Sequence, residues 1–329
     1  MSRETLEHLN TNTLIGFTAK RGQAWHYRAE QQGDEPNHYP GPVPVIDVQR
    51  RLFHWQAESR RVAVEAPASV DTMTHLTEDG EPAQWLPIPD RQAIARSDQP
   101  GQVMGLFGAG YLRHKYSDWL LTTVADLLDE DLAVSSAGLL RGGAVAWVEV
   151  SVPDNITTPE GVEFRPNLLA TTSFDGSIAT TFKRTITDVV CDNTRELALA
   201  EPGQQVKIKH SRQSETKLAP AREALGIVHS LGDEFAAEVA SLCAIEVTED
   251  QWQNFLDKHI PVAEDTLTGR GRTMADAKRQ QLIELYTEDP RVAPWTGTAH
   301  GVLQAVNTYE HHLGTVRGAS RSDRNMLSR

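Results

Sequence analysis

The sequence predicts an α+β protein, in which an antiparallel β-meander packs on helices and a mainly helical C-terminal region follows. Three observations carry this. The stretch Arg165 to Ala200 reads as strand, tight turn, strand and helix. Alternating or β-branched runs flank it at Ala144 to Val152 and Gln205 to His210. Beyond about Pro220 the apolar residues switch to spacings of three and four, the helical period.

The central stretch has the densest local signals. Leu168 to Thr172 is apolar and β-branched, Asp175-Gly176 tolerates the positive φ of a hairpin turn, and Ser177 to Ile186 resumes as strand. Asn193 followed by Glu196 has the spacing of a capping box, so a helix is expected from about Thr194 to Ala200, stopped by Pro202-Gly203. Sequential strands pair economically, so Ala144 to Val152, Leu168 to Thr172 and Ser177 to Ile186 should form one meander.

Taken in order, residues 1–90 read as an irregular, partly β N-terminal region. Gln31 to Pro44 is rich in turn formers; Val43 to Val48, Arg61 to Ala66 and Gln84 to Ile88 are strand candidates. In the pair Trp25-His26, the indole is expected to anchor packing with His26 serving locally, a ligand-facing role being the alternative. Residues 91–215 form the α+β core. Within it Ser117 should start a helix bearing Trp119, Leu120, Val124 and Leu127-Leu128 on one face, and Ala133 to Leu140 reads as helix or strand. Residues 216–313 form a helical region packed on the core. Its helices are Ala221 to Cys243, a short one capped by Thr248 and Gln251 and broken at Pro261, Thr273 to Tyr286 with Met274, Ala277, Leu282 and Leu285 packing, and Thr298 to His312. Residues 314–329 form a basic flexible tail.

The formal net charge of the 329 residues is −13, which argues against a surface that coats nucleic acid everywhere and requires any such site to be local. Two local patches qualify. Tyr111, Arg113, Lys115 and Tyr116 set cations beside rings, the combination that neutralises phosphate while stacking a base. Between Lys183 and Lys217 seven Lys or Arg face five Asp or Glu; Lys183, Arg184, Arg195, Lys207 and Lys209 are its candidates, with a solvated strand and helix surface as the alternative. No run of about 18 apolar residues is present, so no membrane span is expected, and the polar N-terminus points to the cytoplasm. Cys191 and Cys243 are too few for a disulfide framework and are read as buried thiols.

Catalytic motifs are scarce: there is no Walker A sequence, no dinucleotide fingerprint, no HExxH and no nucleophile elbow. No catalytic residue, cofactor or metal ligand is therefore assigned. His300, His311 and His312 share a proposed helix but cannot together ligate one metal. Asp175, Asp188 and Asp192 are the acids available to a magnesium-dependent nuclease, which needs a few carboxylates from different elements.

The run LLATTSFDGSIATTFKRTITDVVCDNTRELAL, with Trp25-His26, Gly297 to Gly301 and Val306 to Tyr309, resembles the phage/plasmid-like family that carries the domain of unknown function 932, over residues 20 to 320. This chain has Asp188 where the family pattern has arginine, and Ser173-Phe174 where many relatives have Ser-His. The resemblance implies a phage or plasmid genome and a bacterial host cytoplasm. It also implies a distant similarity to Rad52-like single-strand annealing proteins, which wrap a curved antiparallel sheet around a helix and assemble into rings. On that basis Lys183, Arg184, Arg195, Lys207 and Lys209, with Arg113 and Lys115, would contact phosphate, and Tyr111 or Tyr116 would stack on a base.

Three functions compete. The leading one is a homo-oligomeric, non-enzymatic protein that binds and anneals single-stranded DNA in recombination or replication. The second is a protein-interaction or host-defence-countering factor with a host or phage protein as partner, and the third is the magnesium-dependent nuclease.

Overall fold

The computed structural model describes residues 3–65, 85–123, 132–152, 155–201, 205–214, 216, 228–260 and 269–309. Two compact units are present, one made of residues 2–154 and 165–228 and the other of 155–164 and 229–329. The fold is α+β, with a curved antiparallel sheet packed against helices and helices at the C-terminal end of the chain.

In the first unit α1 (Leu6–Asn12) leads into β1 (Thr13–Ile15), a short turn of helix α2 (Thr18–Arg21) and α3 (Val45–Arg51). The strand expected at Val43 to Val48 is corrected to this helix: Val45, Val48 and Leu52 are spaced three and four apart and pack on the core. Pro44 sits in extended conformation as its N-cap, with Asp47 in the first turn and Arg50 and Arg51 in the last, where they complement the helix dipole. The strands β2 (Ala57–Glu65), β3 (Trp85–Arg96) and β4 (Val103–Gly108) make a separate antiparallel sheet, which includes two of the expected N-terminal strands. Arg96 links it to the main sheet region: its guanidinium lies 4.2 Å from the Trp55 ring centre, pairs with Asp98 and donates to the Gly142 carbonyl.

The helix expected from Ser117 is corrected to a π-helical turn, Ser117–Thr122, entered from an already helical Tyr116. Ser117 Oγ donates to Asp118 rather than capping. Val124 and Leu127-Leu128 lie outside the described residues.

The main sheet has the order β1, β5 (Ala133–Leu140), β6 (Val145–Ser151), β9 (Asn167–Ser173), β10 (Thr180–Thr185) and β11 (Gln205–Ile208), every pair antiparallel. The expected meander is therefore present, and Ala133 to Leu140 resolves to strand. One glycine explains a close approach: Gly138 lies across from Trp147, and a Cβ there would meet the indole at 2.0 Å. The Asp175-Gly176 turn forms as expected, with Gly176 at φ 79° and Asp175 Oδ1 accepting from the Ser177 N–H.

One face of this sheet carries Val148, Val150, Leu168, Ala170 and Phe182 into the large apolar core shared with α3 and the π-turn. The other packs α1 and α4 (Asp192–Ala200) through Leu9, Trp147, Leu169, Val189, Cys191 and Ala198. The cap of α4 differs from expectation. Cys191 is the N-cap residue, and Thr194 Oγ1 accepts from the Val190 and Cys191 N–H groups at 2.8 and 3.1 Å, so the box sits two residues earlier than Asn193 and Glu196.

In the second unit the hairpin β7 (Ile156–Thr157) and β8 (Glu163–Phe164) accompanies α5 (Val228–Ala244), α6 (Glu249–His259), α7 (Gly269–Thr287) and α8 (Ala299–Thr308). Thr248 and Gln251 form the expected capping box of α6. Trp252, Leu256, Leu282, Leu285, Tyr286 and Ala305 make the core. Leu282 and Leu285 pack as expected, whereas Met274 and Ala277 are exposed. Cys191 is buried and Cys243 only partly so. Residues 221–227, Pro202-Gly203, Pro261, His311, His312 and the tail lie outside the described residues. Among the described residues no helix is long and apolar enough to cross a membrane.

Candidate functional site

The residues expected to form one basic border separate into two groups. Lys183, Arg184 and Arg195 are buried, at 1%, 3% and 6% exposure. The expectation of a surface strip there is corrected by packing: β10 is paired along both edges and every residue of it is buried, and Arg195 is buried on α4, bonded to the sheet residue Thr171. Lys183 Nζ donates to the Leu199 carbonyl at 2.8 Å and to the Glu201 carbonyl, placing an ammonium at the C-terminal end of α4. Arg195 Nε donates to Thr171 Oγ1 at 2.9 Å, and burial holds this guanidinium down to about 10. These groups fasten α4 to the sheet.

Arg113, Lys115, Lys207 and Lys209 are exposed. Their two segments meet at one point: the Leu112 N–H donates to the His210 carbonyl at 3.4 Å, and His210 Nδ1 meets the Leu112 carbonyl at 3.0 Å. The segment 111–116 thus runs beside the end of the edge strand β11, with Arg113 Nη1 donating to the Ala57 carbonyl at 2.9 Å. On β11 itself Ile208 points inward and Lys207 outward, the half-buried alternation expected.

Neither tyrosine is available to a base. Tyr116 is 5% exposed, its hydroxyl donates to the Gly143 carbonyl at 2.8 Å, and its ring stacks on Phe174. Tyr111 is sandwiched between Phe107 at 3.8 Å and His210 at 4.8 Å, and its hydroxyl donates to the Ser173 carbonyl. The stacking role expected of them is therefore corrected: their faces are already taken by protein rings.

That sandwich continues as a five-ring column that sequence reading missed, running from Phe107 and Tyr111 through His210 and His114, 3.9 Å apart, to Trp119, 3.6 Å from His114. A hydroxyl chain ties its two imidazoles: His114 Nδ1 to Thr180 Oγ1 at 2.6 Å, Thr180 to Thr172 Oγ1 at 2.7 Å, and Thr172 to His210 Nε2 at 3.0 Å. The network assigns the protons. The Leu112 carbonyl can only accept, so His210 Nδ1 carries the hydrogen and its Nε2 accepts from Thr172. Thr172 then accepts from Thr180, and Thr180 from His114 Nδ1–H. His114 Nε2 is left as a buried lone pair with no partner among the described residues. Burial first, then the neighbouring His210, pushes His114 down to about 3; burial lowers His210 to about 4. Both are neutral at physiological pH, so the column adds no charge to the basic edge and serves as the joint that holds it together.

A second titratable cluster lies within the main sheet. Glu149 is fully buried and accepts from Ser135 Oγ and from the Val189 N–H. Burial, reinforced by Asp188, raises its carboxyl well above the ordinary range. Nearby Arg21 pairs with Asp188 at 3.2 Å and donates to Ser151 Oγ at 2.8 Å, while Asn167 Nδ2 also reaches Asp188.

The acids proposed for a metal go elsewhere. Asp175 pairs with Arg141, Asp188 with Arg21, and Asp192 accepts from the Arg3 N–H. Among the described residues no group of three His, Cys, Asp or Glu is placed to hold a metal ion. His300 is buried, with neither ring nitrogen bonded among those residues.

The chain belongs to the family of the domain of unknown function DUF932, whose model matches residues 103–329. The match begins at β4, so it contains the basic edge and the ring column, whereas Trp25-His26 stands before it. No curated protein and no solved structure matches the chain.

Proposed function

We propose that this protein binds a single strand of nucleic acid, DNA in the first instance, through phosphate contacts along the edge formed by β11 and residues 112–116, and that it acts in annealing during recombination or replication. The observation that supports this reading is the pair of hydrogen bonds between Leu112 and His210, which sets the segment carrying the exposed Arg113 and Lys115 beside the end of the strand carrying the exposed Lys207 and Lys209, on a chain of net charge −13. A local positive strip on an acidic protein concentrates binding there, because the rest of the surface repels the polyanion. With Tyr111 and Tyr116 engaged internally, the strip recognises backbone and carries no base preference.

A fluorescence-anisotropy salt titration with a labelled oligothymidine strand tests the reading. Affinity should fall log-linearly with salt at about −0.7 per phosphate contact, and replacing Lys207 and Lys209 with alanine should reduce the slope by about 1.4. Absence of binding at about 50 mM salt, or a slope unchanged in the double variant, refutes it.

One observation favours a second reading, association with a protein surface. On the edge strand β4, Val103 and Leu106 are 54% and 64% exposed, with no charged residue or proline in the strand to discourage pairing. A second copy of the chain would meet this edge in the homo-oligomer. Sedimentation of Leu106→Lys against wild type distinguishes the cases: dissociation to monomer supports the reading and an unchanged monomer opposes it.

A further inference from the structure

Trp25 and His26 reverse the arrangement expected of them: the indole is 51% exposed and the imidazole fully buried, its Nε2 donating to the Val190 carbonyl at 3.0 Å. The ring contact of Trp25 among the described residues is the edge of His26 at 5.6 Å, which selects no ligand. A guanidinium at one end of the main sheet does select one. Arg195 is more than nine-tenths buried, yet its side chain makes a single hydrogen bond among the described residues, from Nε to Thr171 Oγ1 at 2.9 Å. Thr171 passes its own hydrogen to the Ala146 carbonyl at 2.7 Å, so its oxygen is fixed as the acceptor and the guanidinium is anchored at Nε. Nη1 and Nη2, with four N–H groups between them, have no hydrogen-bond partner among the described residues, and both keep contact with solvent. A buried guanidinium is ordinarily paired with an anion, because its charge and unmet donors are costly away from water.

No carboxylate among the described residues fills that place. Asp175 and Glu196 are the acids whose charges reach Arg195, and neither is bonded to it. Asp175 is committed within the turn between β9 and β10: Oδ2 accepts from Arg141 Nη1 at 2.8 Å and Oδ1 from the Ser177 N–H at 2.8 Å. Arg141 brings a second cation to the same end of the sheet, because the turn between β5 and β6 lies against the turn between β9 and β10, the Phe174 N–H donating to the Ala144 carbonyl at 2.7 Å. Its charge acts on Arg195 more strongly than that of either carboxylate. Arg141 is also rigidly mounted. It holds a left-handed φ of 53°, uncommon for a residue with a side chain, with its N–H on Glu4 Oε1 at 2.7 Å and its carbonyl accepting from the Ala144 N–H at 3.2 Å. Two guanidinium groups from separate elements thus stand within reach of each other's charge beside a carboxylate that is already engaged.

We propose that Arg195, assisted by Arg141, holds an oxyanion, a phosphate or carboxylate group, at this end of the main sheet. The two Nη groups of Arg195 present N–H donors in a planar fork that matches two oxygens of either group, and Arg141, whose side chain is 43% exposed, adds charge on the solvent side. The site does not depend on strand binding, since its cations are not those of the β11 edge. Calorimetric titration of the full chain with inorganic phosphate and with acetate, at an ionic strength held constant with chloride, tests it once thermal melts have shown each variant to be folded. Wild type should bind at least one of the two anions saturably. Arg195→Lys keeps the charge and loses the fork, so it should bind about tenfold more weakly or worse. Arg141→Gln, at a partly exposed position, should also weaken binding, and it carries the test if Arg195→Lys does not fold. Absence of saturable binding of either anion by wild type, or unchanged affinity in the arginine variants, overturns the proposal. So does binding that is lost in the Lys207/Lys209 double alanine variant and kept in Arg195→Lys, which would place the anion on the strand edge. Oligothymidine with a 5′-phosphate is then compared with its 5′-hydroxyl form. Tighter binding of the phosphorylated strand by wild type and not by Arg195→Lys supports the site with a nucleic-acid terminus as its source; equal binding of the two strands, with the small anion still bound, supports it with a free anion.

Discussion

The neutral histidines of the ring column make stability depend on pH in a way that one variant isolates. His114 is 1% exposed and its pKa is pushed down to about 3, against 6.5 for an open imidazole. A base whose folded pKa is depressed leaves the unfolded chain holding more protons at mildly acidic pH, so its contribution is present above the unfolded value and is lost as pH falls towards the folded one. Between about pH 7.5 and about pH 5.5 an unfolded imidazole goes from mostly neutral to mostly charged while His114 stays neutral. The lost stability is RT ln 10, about 1.4 kcal/mol, and does not depend on how far below 5.5 the folded value lies. His38, lowered to about 4 by burial and by the neighbouring His26, adds a similar amount, and the partly exposed His210 adds less because water screens it. Glu149 works in the opposite sense: its raised folded pKa contributes stability at low pH that is lost as pH rises. The total slope therefore mixes signs, and the decisive quantity is a difference. His114→Asn keeps a donor for Thr180 and removes the titration. Urea unfolding at both pH values should show it losing about 1.4 kcal/mol less than wild type across the interval, whatever its absolute stability. Parallel profiles for the two proteins would refute the buried neutral assignment.

Other consequences follow from the same geometry. Thr172→Val and Thr180→Val each remove a hydroxyl between the two imidazoles and should cost about 1–3 kcal/mol in urea unfolding, because they leave a buried ring nitrogen unpaired. Gly138→Ala drives a methyl into the Trp147 indole and should destabilise by about 1–3 kcal/mol or more, whereas Gly33→Ala, with no heavy atom within 4 Å, should leave the melting temperature nearly unchanged. Glu149→Gln keeps the shape without the charge, so its unfolding free energy should fall more steeply than that of wild type as pH drops from about 7.5 to about 5.5; an identical pH dependence would show that Glu149 is ionised in the folded protein.

Much of the fold was legible because its signals are local. Asp175-Gly176 required a positive φ, the alternation of Gln205 to His210 indicated one covered face, and Thr248 with Gln251 announced a helix start; all three formed. The failures arose where two local patterns competed. Val43 to Val48 is β-branched and short, yet Pro44 and the spacing of Val45, Val48 and Leu52 make it the entry of a helix whose apolar side the core rewards. At Cys191 the box is closed by the Thr194 hydroxyl, a route that a search for Glu or Gln three residues on does not see. Tertiary packing decided each case.

The site was less legible, since a count of charges along a segment contains no information about which strand of a sheet that segment becomes. Lys183 and Lys207 look alike in sequence, each followed within two residues by another cation. Partner identity separates them. β10 is paired on both sides and covered on both faces, so Lys183 spends its donors on the carbonyls at the end of α4; β11 is an edge strand, so Lys207 and Lys209 remain outside. The other cations of the proposed strip, Arg113 and Lys115, belong to a segment that meets the end of β11 where His210 hydrogen-bonds to Leu112 while stacked between Tyr111 and His114. The column of rings therefore has a definite part in the proposed site. It does not touch a ligand, but it fixes the distance between the two segments that would. Loosening that joint with His210→Ala should lower strand affinity without removing any cation, and the salt slope should fall along with it as Arg113 and Lys115 lose their register with Lys209. Unchanged affinity and slope would instead mean that the two segments bind independently of the column.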